Sequence, residues 1–414
     1  MFFKCFDTLQ KLMCSALFLL IATGVSFSQE KPLDFAHEVF FTRDSFAPEN
    51  STLSDLLKNK QADKRTKVLV YLDEGLLDGN PNLQDLVSTY FNAHSKNLNL
   101  VCPPAFVRGG EEAKNEWGLV ESIWSDLNQY GMCRHSYILV VGGGAALDLV
   151  GFAASTAHRG VRLVRLPTTT LSQGDGGVGV KNGINFFGKK NWVGSFTVPE
   201  AVVNDFSFLR TLPDKQKRAG FVEAVKVALI RDRAFFEWIE ERADELARFA
   251  PQAMEQLIRR SAALHLDHIA GSGDPFERGS ARPLDFGHWI AHKLEPMSEF
   301  RVGHGDAVAV GLAADVLYCA RVGLLKKQAA ERVIALLQAL GFEIYHPLLH
   351  AQNKNGKSTI LEGLEEFREH LGGQLTITLI QALGQGVEVH QMDGEEVLQS
   401  IDDLRTRSLA HSQT

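Results

Sequence analysis

YILVVGGGAALD, residues 137–148, is the stretch that decides the fold class. Its first five residues form a continuous apolar run, which is typical of a strand buried on both faces of a parallel sheet. The run leads through three glycines into a helical pattern that starts near Ala145. Because glycine allows close backbone approach and a helix N-terminus offers free amides, such a turn can cradle a phosphate. The spacing is not GxGxxG, so a nucleotide site and a tight structural turn are equally open at this point.

Similar patterns flank this unit on both sides. Residues 67–73, 98–102 and 161–166 read as strands, and residues 83–94 and 113–130 have helical spacing. Strands that alternate with helices predict a doubly wound parallel sheet. After about residue 212 the pattern becomes a series of helices, at residues 221–230, 234–249, 253–268, 286–294, 307–322 and 327–340, with one late strand at 374–380. We therefore predict a Rossmann-like α/β domain over residues 35–212 and a mostly α-helical domain over residues 213–414.

The bulk composition excludes several classes of protein. A chain of 414 residues is long for a single hydrophobic core, which supports two domains. A net charge of −7 without a Lys/Arg-rich run argues against a nucleic-acid-binding protein. The five cysteines form no CxxC pair, so neither a thiolate metal site nor a disulfide framework is indicated.

Residues 1–34 carry a different pattern. Lys4 and Lys11 precede an apolar run at residues 12–25, and small and polar residues follow up to Gln29. This is typical of a signal peptide or a membrane anchor, although the run is short for a membrane span. An upstream start codon or a targeting extension on a soluble enzyme is the competing interpretation. We predict a cytoplasmic enzyme with membrane contact, if any, only through residues 12–27; tethering or export is the alternative.

Three histidines lie in residues 284–308, LDFGHWIAHKLEPMSEFRVGHGDAV. His288 and His292 are four positions apart, so they share one face of a helix. Two imidazoles one turn apart commonly hold a divalent metal, and His304 could close on the same ion. Each histidine taken alone is more often an ordinary hydrogen-bonded side chain.

A carboxylate that could join these histidines lies in FVEAVKVAL, residues 221–229. Glu223 and Lys226 are three positions apart in an otherwise apolar helical pattern. A buried glutamate must be paired or must ligate something. Paired with Lys226 it is a helix ion pair. Together with His288 and His304 it would form a Glu/His/His metal site with open coordination positions.

The glycine-rich segment DGGVGVKNGIN, residues 175–185, is flanked by polar side chains. Asp175 and Lys181 belong to it, and Lys189, Lys190 and Asn191 follow shortly after. Lysines and an asparagine beside a carboxylate suit a phosphorylated, hydroxylated substrate. A solvated loop with balanced charge is the alternative.

Seven motifs occur in a fixed order along the chain: GGEEAK, GGGAALDLVGFAA, HRGVRLVRLPTTTLSQGDGGVGVKNGIN, KNWVGSF, TLPDKQKRAGFVEAVK, LDFGHWIAH and GHGDAVAVG. In this order and spacing they resemble 3-dehydroquinate synthase and its sugar-phosphate cyclase relatives, from about residue 73 to about residue 390. The resemblance implies an NAD-binding α/β domain, a helical C-terminal domain and a divalent metal in the cleft between them. The metal in this family is usually zinc, with cobalt as an alternative.

The resemblance also implies roles for individual residues. Glu223, His288 and His304 would bind the metal. Arg159 matches an arginine that reaches across a homodimer interface to the neighbour's phosphate. The substrate pocket would be lined by Asp175, Lys181, Asn191, Lys226, Asp285 and His292, and the phosphate would be contacted by Lys181, Asn191, Lys226 and His292. NAD would contact Asp73, Glu111, Lys114, Gly143, Gly144, Asp148, Thr168, Thr169 and Lys190.

Several positions depart from the quinate-forming relatives. Asp285 replaces their Asn, and Ala281 replaces their carboxylate-binding Arg, with Arg282 one place away. His265 aligns with the lysine that shares this carboxylate, and FREHLGG at residues 367–373 replaces a DKK motif. Relatives that cyclise sedoheptulose 7-phosphate, which has no carboxylate, also carry Asp at the Asn position. The resemblance therefore implies a heptulose 7-phosphate substrate without a carboxylate.

The predicted function is that of an NAD- and metal-dependent sugar-phosphate cyclase, a carbon–oxygen lyase acting on phosphates. In the family chemistry a ring hydroxyl is transiently oxidised with NAD, phosphate leaves, the hydride returns, and an intramolecular aldol step closes a carbocycle. One alternative is a genuine 3-dehydroquinate synthase of the shikimate pathway. Another is a metal-dependent alcohol dehydrogenase of the glycerol dehydrogenase type, which would leave the phosphate-binding residues unexplained. A non-catalytic NAD-binding relative is the third.

Overall fold

The structure, a computed structural model, describes residues 36–58, 64–271, 284–370 and 373–411. Contacts group His37–Thr414 into one compact unit. The signal-like segment, with its apolar run at 12–25, lies outside the described residues, and so do Ala281 and Arg282. Within the described part of the chain, no helix combines the length and the apolar character needed to cross a membrane.

A seven-stranded parallel sheet forms the first half of the compact unit. Its strands follow the order β1-β9-β6-β5-β2-β3, and β4 pairs with the second half of β2 on the same side as β3. They are β1 (Val39–Thr42), β2 (Thr66–Asp73), β3 (Leu98–Leu100), β4 (Ala105–Val107), β5 (Tyr137–Gly142), β6 (Arg162–Pro167) and β9 (Ala201–Asp205). The central strands β2, β5 and β6 are almost wholly buried, as their continuous apolar runs predict.

Helices cover both faces of this sheet. Leu69 and Tyr71 of β2 pack in one apolar core together with α3 (Trp117–Gln129) and α4 (Gly144–Thr156). Alternate residues of the same strand, such as Val70, pack in a second core with α1 (Thr52–Leu57) and α2 (Leu83–Ala93). Because successive strand side chains point to opposite faces, this division confirms the predicted doubly wound α/β arrangement.

A small antiparallel hairpin lies beside the main sheet. It consists of β7 (Lys181–Phe186) and β8 (Lys189–Phe196), and it contacts α4 through the hydroxyls of Ser155 and Ser195, 2.7 Å apart. A π-helical turn, Ser172–Gly176, precedes it. No strand was predicted in this region, because its glycines and asparagines weaken the strand pattern.

The second half of the unit is mostly helical, as predicted. It contains α5 (Asp214–Arg231), α6 (Arg233–Glu241), α7 (Ala243–Ala247), α8 (Pro251–Gly271), α9 (His288–Met297), α10 (His304–Arg321), α11 (Lys327–Ala339), α12 (Thr359–His370) and α13 (Gly394–His411). The late strand is β10 (Ile377–Ala382), which pairs antiparallel with β11 (Gln385–Val389). The helix expected at residues 234–249 is split at Arg242. The predicted boundary at residue 212 falls between β9 and α5, and it stays a prediction.

Candidate functional site

A cleft of about 600 Å³ opens where β2, β5 and β6 end, at the carboxyl edge of the sheet. Asp73 ends β2; its Oδ1 accepts a hydrogen bond from the Gly75 amide at 2.9 Å, and its Oδ2 accepts one from the Gly143 amide at 3.3 Å. Five residues predicted to bind the cofactor line this cleft: Asp73, Gly143, Gly144, Thr168 and Thr169. Ligands of open α/β sheets bind at this edge.

The start of α4 fits a phosphate of the cofactor. Gly143 is the N-cap residue, and as a glycine it has no side chain with which to cap the amides of the first turn. A Cβ built on Gly144 would meet no described atom within 4 Å, so space is open above the first turn. The uncapped amides and the positive end of the helix dipole therefore face an open cleft, which suits the pyrophosphate of NAD.

A second polar group lies next to this cleft. Lys114 is buried, and its Nζ lies 2.7 Å from Oδ2 of Asp148 and 3.6 Å from Oε1 of Glu111. The same Nζ donates to Oδ1 of Asn191. Glu111, Lys114 and Asp148 are thus brought together as expected. Asn191, however, lies with these residues rather than with the phosphate-binding set.

Lys190 also has neighbours other than those expected. Its Nζ lies 3.3 Å from Oε1 and 3.4 Å from Oε2 of Glu295 on α9, beside His304. Asn191 has a φ of +54°, so the backbone departs from the regular strand conformation between these two residues, and Lys190 and Asn191 face different groups. Lys190 was predicted to contact NAD and Asn191 to contact the substrate phosphate. In the structure Lys190 contacts Glu295 beside the metal cluster, and Asn191 contacts Lys114 of the predicted NAD set.

Glu223, His288 and His304 converge from α5, α9 and α10. One potential ligand atom from each lies within 4.8 Å of the others. Nε2 of His304 is 3.4 Å, and Nε2 of His288 is 3.9 Å, from Oε1 of Glu223. The structure therefore assembles the three residues that the sequence analysis proposed as metal ligands.

The hydrogen bonds of this cluster fit a divalent metal. Nδ1 of His288 faces the carbonyl oxygen of Phe286 at 3.2 Å, and Nδ1 of His304 faces Oε1 of Glu295 at 3.0 Å. Both partners are acceptors, so each Nδ1 can donate to its partner, and Nε2, which faces Glu223, is the nitrogen placed to bind a metal. Burial opposes a charge on His304, but its contacts with Glu223 and Glu295 raise its pKa to about 9, so a metal ion would have to displace the Nε2 proton. Oε1 of Glu223 is buried, and no described residue donates a hydrogen bond to it. Burial also lowers the pKa of His288 well below its usual value, which keeps this ring neutral.

A chain of charges continues from Glu223 into the pocket. Nζ of Lys226 lies 2.5 Å from Oε2 of Glu223 and 3.6 Å from Oδ2 of Asp175. Asp175 stands on the π-helical turn, and its Oδ1 lies 3.1 Å from Nε2 of His265. Burial opposes charge on both partners, but their attraction raises the pKa of His265 and lowers that of Asp175. Asp175 is therefore a carboxylate held between two cations.

The remaining predicted site residues are placed as follows. Asp285 lies three residues before the start of α9, and its charge acts on Lys226, His288 and His292. His292 is solvent-exposed, and its ring centroid lies 5.4 Å from that of His288. Lys181 begins β7 and is exposed.

Arg159 is separated from the cluster of its own chain. It lies on a one-turn helix at the end of α4 with a φ of +64°, and its neighbour His158 has a φ of +51°. Because α4 runs from the carboxyl edge of the sheet back to the amino edge, Arg159 lies at the opposite edge from the cleft. This position agrees with the expected role toward a neighbouring subunit, which stays a prediction.

Sequence reasoning missed two buried charged residues beside the site. Arg165 on β6 is fully buried and donates to the carbonyl oxygens of Gly179 at 2.6 Å and Lys181 at 2.9 Å, so it fixes the segment that leads into β7. Glu295 could have been found by the reasoning applied to Glu223, since it is a glutamate in an apolar helix, seven positions after His288. The sequence offers no comparable signal for Arg165.

Two family models match the chain. Residues 105–219 match the model described as 3-dehydroquinate synthase N-terminal, and residues 220–360 match 3-dehydroquinate synthase C-terminal. A 3-dehydroquinate synthase of Halorhodospira halophila is 35% identical over 268 residues, which cover 64% of this chain and 73% of the relative. A 2-epi-valiolone synthase of Actinosynnema mirum is 35% identical over 301 residues, which cover 72% of this chain and 77% of the relative.

Solved structures show the same fold. One is a 2-epi-5-epi-valiolone synthase from Streptomyces hygroscopicus subsp. jinggangensis 5008 with NAD+ and Zn2+ bound. It is 24% identical, has a TM-score of 0.80, and the match covers 92% of this chain and 100% of that one. Another is a 2-deoxy-scyllo-inosose synthase complexed with carbaglucose-6-phosphate, NAD+ and Co2+, 22% identical with a TM-score of 0.71, covering 88% of this chain and 96% of that one. With the family models and the relatives, these matches confirm that the chain belongs to the 3-dehydroquinate synthase family of sugar-phosphate cyclases.

Proposed function

We propose that this protein is an NAD- and divalent-metal-dependent cyclase acting on a heptulose 7-phosphate without a carboxylate. The observation that carries the proposal is the Glu223, His288 and His304 cluster, joined by Lys226 to Asp175. Such a set can hold a Lewis-acidic metal beside groups that bind a polyhydroxylated ligand. The metal and NAD seen in the solved valiolone and scyllo-inosose synthases support the same cofactors here.

The charges of the pocket favour a substrate without a carboxylate. Lys226 already neutralises Glu223 and lies near Asp175, and His265 is paired with Asp175. Asp285 adds a further negative charge that acts on Lys226. A substrate carboxylate entering here would meet carboxylates whose cations are already engaged. Substrate hydroxyls, in contrast, can donate hydrogen bonds to Asp175 and Asp285.

The chain's own residues divide the work of the reaction. Glu223, His288 and His304 would hold the metal, and the first-turn amides of α4 would hold the pyrophosphate of NAD. When bound, the metal would supply Lewis acidity at the reacting oxygen, and NAD would supply a hydride acceptor that each turnover regenerates. Asp175 would orient the substrate by accepting hydrogen bonds from its hydroxyls.

Positive and hydrogen-bonding groups would stabilise the departing phosphate. Lys181 and His292 are exposed, and Lys226 is buried against Glu223 and Asp175. Donors fixed in advance around a leaving phosphate stabilise its growing charge without reorganisation. Arg159 of a second subunit would complete this set in a homodimer. We propose that the enzyme acts in the cytoplasm, where sugar phosphates and NAD are available.

The test compares two substrates of the same length. Protein without residues 1–30 is incubated with NAD, zinc and either sedoheptulose 7-phosphate or 3-deoxy-arabino-heptulosonate 7-phosphate. We expect release of inorganic phosphate from the first sugar at a much higher kcat/KM, without net formation of NADH. Net NADH would instead indicate an alcohol dehydrogenase.

The Asp285→Asn variant tests the carboxylate argument itself. Removing this charge should raise kcat/KM for the carboxylated sugar relative to the other sugar, because about 1.4 kcal/mol of lost repulsion corresponds to tenfold. If the unmodified protein turns over the carboxylated sugar at least as well, it is a 3-dehydroquinate synthase with a rearranged anion site. Several relatives are named 3-dehydroquinate synthase, which is why the carboxylated sugar is included in the test.

A further inference from the structure

Glu295 is a buried carboxylate that touches the metal cluster without facing the metal position. It lies on α9 with 4% of its surface exposed. Its Oε1 accepts from Nδ1 of His304 at 3.0 Å, on the side of the ring opposite to Glu223. Carboxylates in this position fix the tautomer and the orientation of a ligating imidazole.

The charge of Glu295 has a partner from the other half of the protein. Nζ of Lys190, on β8, lies 3.3 Å and 3.4 Å from the two oxygens of Glu295. A buried carboxylate needs a cation or several donors to stay charged. When His304 is a neutral metal ligand, Lys190 is the cation that the described residues supply to Glu295. The side chain of Lys190 is 28% exposed, and methionine keeps most of its apolar length, so Lys190→Met removes the charge while retaining much of the packing.

We propose that Glu295 positions His304 for metal binding and that Lys190 supports Glu295 from the β7–β8 hairpin. The α/β half would thus tune the metal centre without supplying a ligand to it. Lys190 would then be a positioning residue of the metal site rather than a contact of NAD. This inference rests on the proposed function, because it needs a metal bound by Glu223, His288 and His304.

The experiment measures zinc and NAD binding separately, without substrate. Zinc affinity is obtained by competition with a chromogenic chelator, and NAD affinity by titration calorimetry. We expect Glu295→Ala to weaken zinc binding by about 10–100-fold, the usual effect of losing such a partner. Glu295→Gln should weaken it less, because the amide oxygen still accepts from His304. If Glu295 had a purely structural role, its variants would lower the free energy of unfolding, but their zinc affinities would not follow the order Glu, Gln, Ala.

Lys190→Met keeps the test informative even if the Glu295 variants fold poorly. We expect several-fold weaker zinc binding and unchanged NAD binding. Lys189→Met is the matched control. Lys189 is exposed over the ring of Trp192, 4.8 Å from its centroid, so both affinities should be unchanged.

The outcomes separate this inference from the proposed function. If the unmodified protein binds no zinc, both are refuted. If it binds zinc and Glu295→Ala binds equally well, only the positioning role is refuted. If Lys190→Met weakens NAD binding and leaves zinc affinity unchanged, Lys190 is a contact of NAD and the inference is refuted.

Discussion

Gly311→Ala should destabilise the protein at a position where alanine normally stabilises a helix. Gly311 lies inside α10, and a Cβ there would be 2.9 Å from the carbonyl carbon of Gly287 and closer still to its oxygen. Gly287 directly precedes His288 and has a φ of +76°. The contact therefore sets the distance between the helices that carry His288 and His304.

The expected loss follows from two opposing effects. Alanine gains about 1 kcal/mol over glycine in a helix interior. Overpacking costs about 1–3 kcal/mol. The upper end applies because the atoms that the new Cβ meets, the carbonyl oxygen and carbon of Gly287, belong to the backbone and cannot rotate away. The net loss is about 2 kcal/mol. Relieving the overlap needs a shift on the order of 1 Å beside His288, and such a displacement can cost about 100-fold in rate.

Urea unfolding midpoints and zinc affinity measure the two consequences of Gly311→Ala. We expect a lower midpoint and weaker zinc binding than in the unmodified protein. Gly118→Ala is the matched control: Gly118 lies in α3, and no described atom would come within 4 Å of its new Cβ. This control should be as stable as the unmodified protein or slightly more so. The reasoning is refuted if Gly311→Ala matches the control in both measurements.

Three further predictions concern charge, metal and assembly. Burial raises the pKa of Asp315 to about 7 from an ordinary value of 3.8, so the folded state binds this proton more tightly than the unfolded state. The free energy of unfolding should therefore decline as pH rises between these two values, by up to about 4 kcal/mol. Asp315→Asn should flatten this decline in urea unfolding midpoints, and an unchanged slope would contradict the assignment. His288→Ala should lose both bound metal and turnover, whereas full metal occupancy after alanine replaces all three proposed ligands would exclude the site. Arg159→Ala and His288→Ala, each inactive alone, should regain activity when mixed as heterodimers, because one active site then has both groups; an active monomer in sedimentation would end this idea.

The central strands and most of the long helices could be predicted because runs and periodic patterns of apolar residues mark them as buried segments. The five apolar residues at 137–141, followed by glycines, predict a strand buried on both faces, and the structure confirms it. Strands β1, β4 and β9 and the hairpin β7–β8 were not predicted, because short or glycine-containing strands are specified mainly by their pairing partners. In α10 nearly every residue from Ala307 to Cys319 is buried, so no amphipathic stripe marks its orientation.

Some features of the candidate site could likewise be predicted from the sequence, and others could not. Glu223, His288 and His304 could be proposed as ligands because metal-binding residue types stand out in apolar surroundings. The neighbours of Lys190 and Glu295 could not be derived, because the two residues belong to different halves of the protein and meet only after packing. Lys190 and Asn191 face different groups because the backbone leaves the strand conformation at Asn191, where φ is +54°, and residue spacing does not predict such a local turn.

The convergence of three helices on the proposed metal position would have a thermodynamic consequence. An ion bound by α5, α9 and α10 acts as a noncovalent cross-link that the unfolded chain cannot reproduce. The free energy of unfolding then rises with the logarithm of the free metal concentration, by about 2.7 kcal/mol at 100 times the dissociation constant. Metal supply would therefore set the lifetime of the folded enzyme as well as its turnover, and cells short of metal would lose the protein itself.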